Sequence, residues 1–131
     1  MADHPLTQWH QLVRERSAAS LDALLDDDAV FHSPVVHTPQ RGRKLVAMYL
    51  GAALRLLGNP TFRYVREVVG EHDAVLEFEC EIDGVLVNGV DIVRWNDAGR
   101  IVDFKVMLRP LKAIQLVQER MAALLQKVAP K

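Results

Sequence analysis

Two kinds of hydrophobic pattern divide the chain. Over most of the first 58 residues apolar side chains recur at helical spacing, and from residue 61 they alternate with polar ones. Residues 5–18 read as a helix opened by Pro5, with Leu6, Trp9, Leu12 and Val13 on one face. Ser20-Leu-Asp-Ala-Leu-Leu starts a second, short helix with a serine cap, ending in Asp26-Asp27-Asp28. AVFHS (29–33) is a short strand stopped by Pro34, and 35–41 is a loop or edge strand carrying Pro39. A third helix runs from about Gly42 to a glycine stop at Gly58.

Four alternating segments follow, 61–71, 73–82, 85–96 and 100–109, joined by short polar connections such as Asp83-Gly84. Connections that short make the four an antiparallel meander. Phe78 and Cys80 share a face with Leu76, while Glu77, Glu79 and Glu81 form an acidic row on the other, facing Arg63 or Lys105 of a neighbouring strand or a cation of a second subunit. Val102, Phe104, Val106 and Leu108 point the same way on the last strand. A final helix, 111–127, carries Leu111, Ile114, Val117, Met121 and Leu124 on one stripe, and VAPK reads as a loose tail. The expectation is a single α+β domain over 1–131. Its curved antiparallel sheet wraps around N-terminal helices as a cone with an internal pocket, and a C-terminal helix follows.

One residue breaks this pattern. In VNGVDIVRW (87–95), parity puts Asp91 on the apolar face with Val87, Gly89, Val93 and Trp95. A carboxylate buried among such neighbours is paired, protonated or functional. No lysine or arginine shares its stripe, so the expectation is a carboxyl that stays largely protonated near neutral pH.

Composition narrows the partners. The chain has 131 residues, half hydrophobic and a quarter charged, with a formal net charge of −1, which argues against nucleic acid. The basic run Arg41-Gly-Arg43-Lys44 reads as a solvated helix start. No apolar run approaches the roughly 20 residues that span a bilayer, and MADHPLTQWH has no apolar signal core. A lone Cys80 excludes an internal disulfide and suits a reducing cytoplasm, and on its apolar stripe it reads as an inert core thiol. The zinc, phosphate-loop, dinucleotide and Ser-His-Asp patterns are absent, so neither a metal nor a cofactor is expected.

AVFHSPVVHTPQRG and GVDIVRWNDAGRIVDFKVM, together with the helix and strand order, resemble the nuclear transport factor two-like superfamily of cystatin-like cones. Ketosteroid isomerases and SnoaL-like polyketide cyclases are the nearest members. The resemblance implies that Asp91 stands where the isomerases keep a protonated acid that donates to a developing oxyanion. Their proton-shuttling aspartate corresponds to Ser33 before Pro34, their first-helix tyrosine to Trp9, and the cyclase acid/base aspartate to Val106. Steroid isomerisation by the familiar route is therefore not expected.

The expected ligand is a small, apolar, carbonyl-bearing compound in a cavity lined by Trp9, Phe31, Ser33, Tyr49, Phe78, Val93, Phe104 and Val106. Asp91 is its acid or oxyanion donor. His37, beyond the strand-ending proline, is either a surface histidine or turns inward as the base of an acid–base pair with Asp91. Isomerase, cyclase or dehydratase chemistry fits that pair. The alternative is a binding or dimerisation domain that kept the cone without the chemistry. A homodimer through the convex face is expected, because that face carries Val90 and Ile92 among charges of both signs.

Overall fold

The computed structural model describes residues 4–128. Residues 1–3 and 129–131, most of the expected tail among them, lie outside the described part. Helix α1 (Pro5–Glu15) is opened by a proline in its first turn and by the His4 side chain, which accepts from the Leu6 N–H. It stops three residues before the expected end, at Arg16, which sits in the left-handed region at φ 52° with its N–H on the Leu12 and Val13 carbonyls. Leu6, Trp9 and Leu12 are buried from its inner face.

Helix α2 (Leu21–Leu24) is a single turn, and the Ser20 side chain does not cap it. The three aspartates do not end this helix. They lie within strand β1 (Leu25–His32), which begins four residues before the expected start and leaves Ser33 outside it. The register explains the change: Leu25 and Phe31 sit beside Ile101 and Phe104 of the last strand, and burying those apolar ends draws Asp26, Asp27 and Asp28 into extended backbone. A two-residue edge strand, β2 (Gln40–Arg41), pairs with β1. Helix α3 (Arg43–Leu57) lies between its two expected glycines. The basic run at its start is partly neutralised, since Arg43 meets Asp27 and lies 3.6 Å from Asp22.

Strands β3 (Arg63–Val69), β4 (Asp73–Ile82), β5 (Val85–Trp95) and β6 (Ile101–Arg109) form the meander, and the sheet order is β2-β1-β6-β5-β4-β3. The β4–β5 hairpin turns on Asp83 (φ 51°) and Gly84 (φ 79°), the two left-handed residues that a twisted hairpin favours. One part of the sheet is not antiparallel: β1 returns alongside β6 in parallel. A second departure is a bulge opposite Arg94 and Trp95, where Trp95 pairs with Ile101 and Arg94 with Asp103. Ile101 is thereby buried and Val102 is half-buried.

The expected acidic row is on the outer face, where Glu79 takes Arg63 at 2.9 Å and Glu77 takes Arg66 at 3.0 Å. Helix α4 (Leu111–Val128) packs on α3 and the last two strands and buries Ala113, Val117 and Met121, and Leu111 is exposed rather than on the buried stripe. Cys80 is buried, and burial pushes its thiol up to about 11, which leaves it inert near neutral pH.

Gly89 on β5 allows the central packing. A β-carbon there would come within 2.6 Å of the Phe78 ring, 2.7 Å of Leu108 and 2.8 Å of the Met107 carbonyl. The ring of Phe78, fully buried on the neighbouring strand, lies over the space that glycine leaves. Gly89→Ala is expected to lower stability by about 1–3 kcal/mol, as overpacking does. Denaturant titration of the two forms checks it; equal midpoints would mean that Phe78 moves aside freely.

Candidate active site

Asp91 is the one buried polar or charged side chain among the described residues, 5 % exposed. On β5 its cross-strand neighbours are Leu76 of β4 and Val106 of β6, both buried and apolar. They withdraw water and supply no charge. The polar partner comes from two strands away. Tyr64, on the edge strand β3, donates its hydroxyl to Asp91 Oδ2 at 2.6 Å, and Trp9 of α1 donates its indole N–H to the Tyr64 oxygen at 2.8 Å. An indole can only donate, so Trp9 occupies the Tyr64 oxygen and directs the single phenolic proton toward Asp91.

Burial pushes the Asp91 carboxyl up to about 7, and the Tyr64 hydrogen bond opposes part of that rise. Burial and the adjacent Asp91 together hold the Tyr64 hydroxyl well above its ordinary value, so it stays a donor. Asp91 therefore titrates far above an ordinary carboxylate, close to neutral pH.

This chain of donors borders an inner cavity of about 30 Å³, lined by Trp9, Phe78, Asp91, Phe104 and Val106 together with Val13, Leu50, Leu54, Phe62 and Tyr64. Such a volume holds on the order of one water molecule or one small functional group. Two aromatic pairs stand in its walls: Trp9 and Phe104 have ring centres 4.9 Å apart, and Phe62 stacks on Phe78 at 5.0 Å. Outside lies a wider recess of about 390 Å³ bordered by His10, Arg14, Arg16, Asn59 and Arg63. Val13, Gly58, Phe62 and Tyr64 line both spaces, so the recess and the cavity adjoin at those residues.

Five of the residues singled out in the sequence thus meet at one cavity: Trp9, Phe78, Asp91, Phe104 and Val106. The others are elsewhere. Phe31 and Val93 are buried in the core without lining it. Ser33 lies past the end of β1, where its hydroxyl accepts from the Val35 N–H at 3.2 Å in a local turn. Tyr49 is half-buried on α3 outside the cavity lining, and His37 is exposed on the β1–β2 connection. Two residues after a proline-bounded turn, His37 has no packing force to bring it inward.

Tyr64 was missed. Its signal was present in Phe62-Arg63-Tyr64, where two aromatic residues alternate with an arginine at the head of a strand. A tyrosine facing inward needs a partner for its hydroxyl, and Asp91 was the buried group in need of a donor.

Residues 6–104 match the SnoaL-like domain family. The chain belongs to that family. This SnoaL-like domain is also similar to a steroid delta-isomerase from Pseudomonas aeruginosa, at 37 % identity over 94 % of this chain and 90 % of that one, with a TM-score of 0.89. It is similar to an uncharacterized protein with a cystatin-like fold from Silicibacter pomeroyi, at 30 % identity, 95 % and 87 % coverage and a TM-score of 0.87. A likeness to an NTF2-like protein of unknown function from Mesorhizobium loti, at 20 % identity, 81 % and 88 % coverage and a TM-score of 0.71, concerns the fold alone. No curated protein matches the domain. No helix among the described residues is long and apolar enough to cross a membrane.

The raised acidity constant has a stability consequence of definite sign. Folded Asp91 titrates near 7 and the unfolded residue near 3.8, so between those values the folded state binds more protons. Stability from this residue therefore falls as pH rises from about 4 to about 7, by about 4 kcal/mol at most, and is flat above. Asp91→Asn, which keeps an oxygen for Tyr64, is expected to melt at or above the wild-type temperature at pH 8 and to lose that advantage at pH 5. A variant clearly less stable at pH 8 would show that the wild-type carboxylate is ionised and well paired.

Proposed function

We propose that this domain binds a small apolar carbonyl compound and that Asp91 donates a proton or hydrogen bond to its oxygen. The observation that carries this is a buried carboxyl with an acidity constant near neutrality whose Oδ2 is engaged by Tyr64 beside an aromatic cavity. With Oδ2 so held, the proton of the neutral acid sits on Oδ1. Donation from there stabilises negative charge developing on a ligand oxygen, as enolisation, isomerisation or dehydration requires. Trp9 and Tyr64 hold the carboxyl in place, and Phe78, Phe104 and Val106 exclude water. The similarity to a steroid delta-isomerase supports the same class of chemistry.

His37 and Ser33 have no part in this proposal. Among the described residues no histidine or second carboxyl lines the inner cavity, so Asp91 would act without a partner base. That specific absence favours a second reading, a binding domain that holds a carbonyl compound without turning it over.

The probe is 2-acetylnaphthalene, an apolar aryl ketone, with affinity followed by calorimetry. Wild-type affinity is expected to fall about tenfold per pH unit above about 7 as Asp91 loses its proton. Asp91→Asn, whose amide N–H donates at every pH, should bind with no such slope. Absence of binding, or a wild-type affinity flat across pH 6–9, would sink the proposal.

Assembly is part of the same reading. The outer face of the sheet exposes Val68, Val75 and Met107 around a groove of about 510 Å³, flanked by Arg66, Glu77 and Arg109. An apolar centre with a charged rim of both signs suits a second copy of this chain. Light scattering is expected to give a dimer, and Met107→Glu a monomer; a wild-type monomer at micromolar concentration rules the interface out.

A further inference from the structure

The recess outside the inner cavity differs in character from the cavity itself. Among the described residues it is bordered by Arg14, Arg16, Arg63 and His10 and by no aspartate or glutamate, in a chain whose formal net charge is −1. Two of those cations are already engaged: Arg63 holds Glu79 at 2.9 Å, and His10 holds Glu67 at 2.6 Å. Arg14 and Arg16 have no carboxylate partner among the described residues, and both are exposed at the rim.

Arg16 is also fixed in an unusual conformation. It closes α1 in the left-handed region at φ 52°, where glycine is the ordinary choice. An arginine there accepts conformational cost, and its backbone bonds to Leu12 and Val13 hold it beside the recess. The end of α1 carries the negative pole of the helix, which repels an anion. Any attraction for one at this mouth must come from the two guanidinium groups, whose forked donors match a carboxylate.

Size adds the remaining constraint. The inner cavity, about 30 Å³, admits little beyond a reacting group, whereas the recess, about 390 Å³, accommodates the body of a small ligand. We infer that the ligand is an organic acid, an apolar carbonyl compound whose carbonyl reaches Asp91 and whose carboxylate is held at the mouth by Arg14 and Arg16. This rests on the carbonyl-binding reading above and specifies its substrate class.

The test compares 2-acetylnaphthalene with 6-acetyl-2-naphthoic acid, the same ketone carrying a carboxylate at the far end. In wild-type protein at low ionic strength the naphthoate is expected to bind about tenfold tighter, a ratio that shrinks toward one as salt is raised to about 0.5 M. Arg16→Gly, which relieves the left-handed strain and so keeps the fold, should bring the ratio close to one, as should Arg14→Gln. Equal affinities in the wild type overturn the organic-acid inference and leave the carbonyl reading standing. A naphthoate preference that persists in both variants also overturns it. Naphthoate binding without the wild-type pH slope overturns the carbonyl reading instead, and binding of neither probe overturns both.

Discussion

The hydrogen-bond relay from Trp9 through Tyr64 to Asp91 ties together parts of the chain that lie far apart in sequence. Its members come from the first helix, the edge strand and a central strand, 55 and 27 residues apart in sequence. A buried carboxyl without such a donor would cost several kcal/mol, and a tyrosine hydroxyl pointing into an apolar cone would cost about 1–3 kcal/mol. Each cancels the other's cost only when β3 is in register with β4, with Tyr64 opposite Phe78. The bulge that follows, between Tyr64 and Arg66, then turns Arg66 outward to Glu77. The same local event thus sets the inner relay and the outer ion pair.

The relay also sets the acidity of the carboxyl it holds. Val106 and Leu76 raise its affinity for a proton, while Tyr64 holds one of its oxygens and limits that rise. The outcome lies near neutrality because desolvation and hydrogen bonding oppose each other within one site. Val106 occupies the position where the cyclase pattern implies a second acid. Its apolar side chain supplies desolvation in place of a charge that would compete with Asp91.

Phe62 gives the site its two compartments. Stacked on Phe78 and edge-on to Tyr64, it belongs to the walls of both the inner cavity and the outer recess. The chain enters this position from Asn59-Pro60-Thr61, a turn in which Asn59 accepts from the Thr61 N–H and donates to the Glu81 carbonyl. Apolar chemistry lies on one side of that ring and arginine chemistry on the other.

The sequence alone determined the fold class, the four-strand meander, the third and fourth helices and the burial of Asp91, because these follow from local periodicity and from strand parity. Parity also placed Phe78, Phe104 and Val106 on the inner face and the glutamate row outside, since a one-residue slip would have exposed every apolar partner. What it could not determine were features set by pairing across long separations. The parallel return of β1 beside β6 drew Asp26–Asp28 into a strand, and the bulge near Trp95 buried Ile101 in place of Val102. His37 remained outside and Tyr64 entered the site for the same reason. A side chain's direction at a strand end or on an edge strand is decided by the neighbour that satisfies it, and only the folded sheet brings that neighbour within reach.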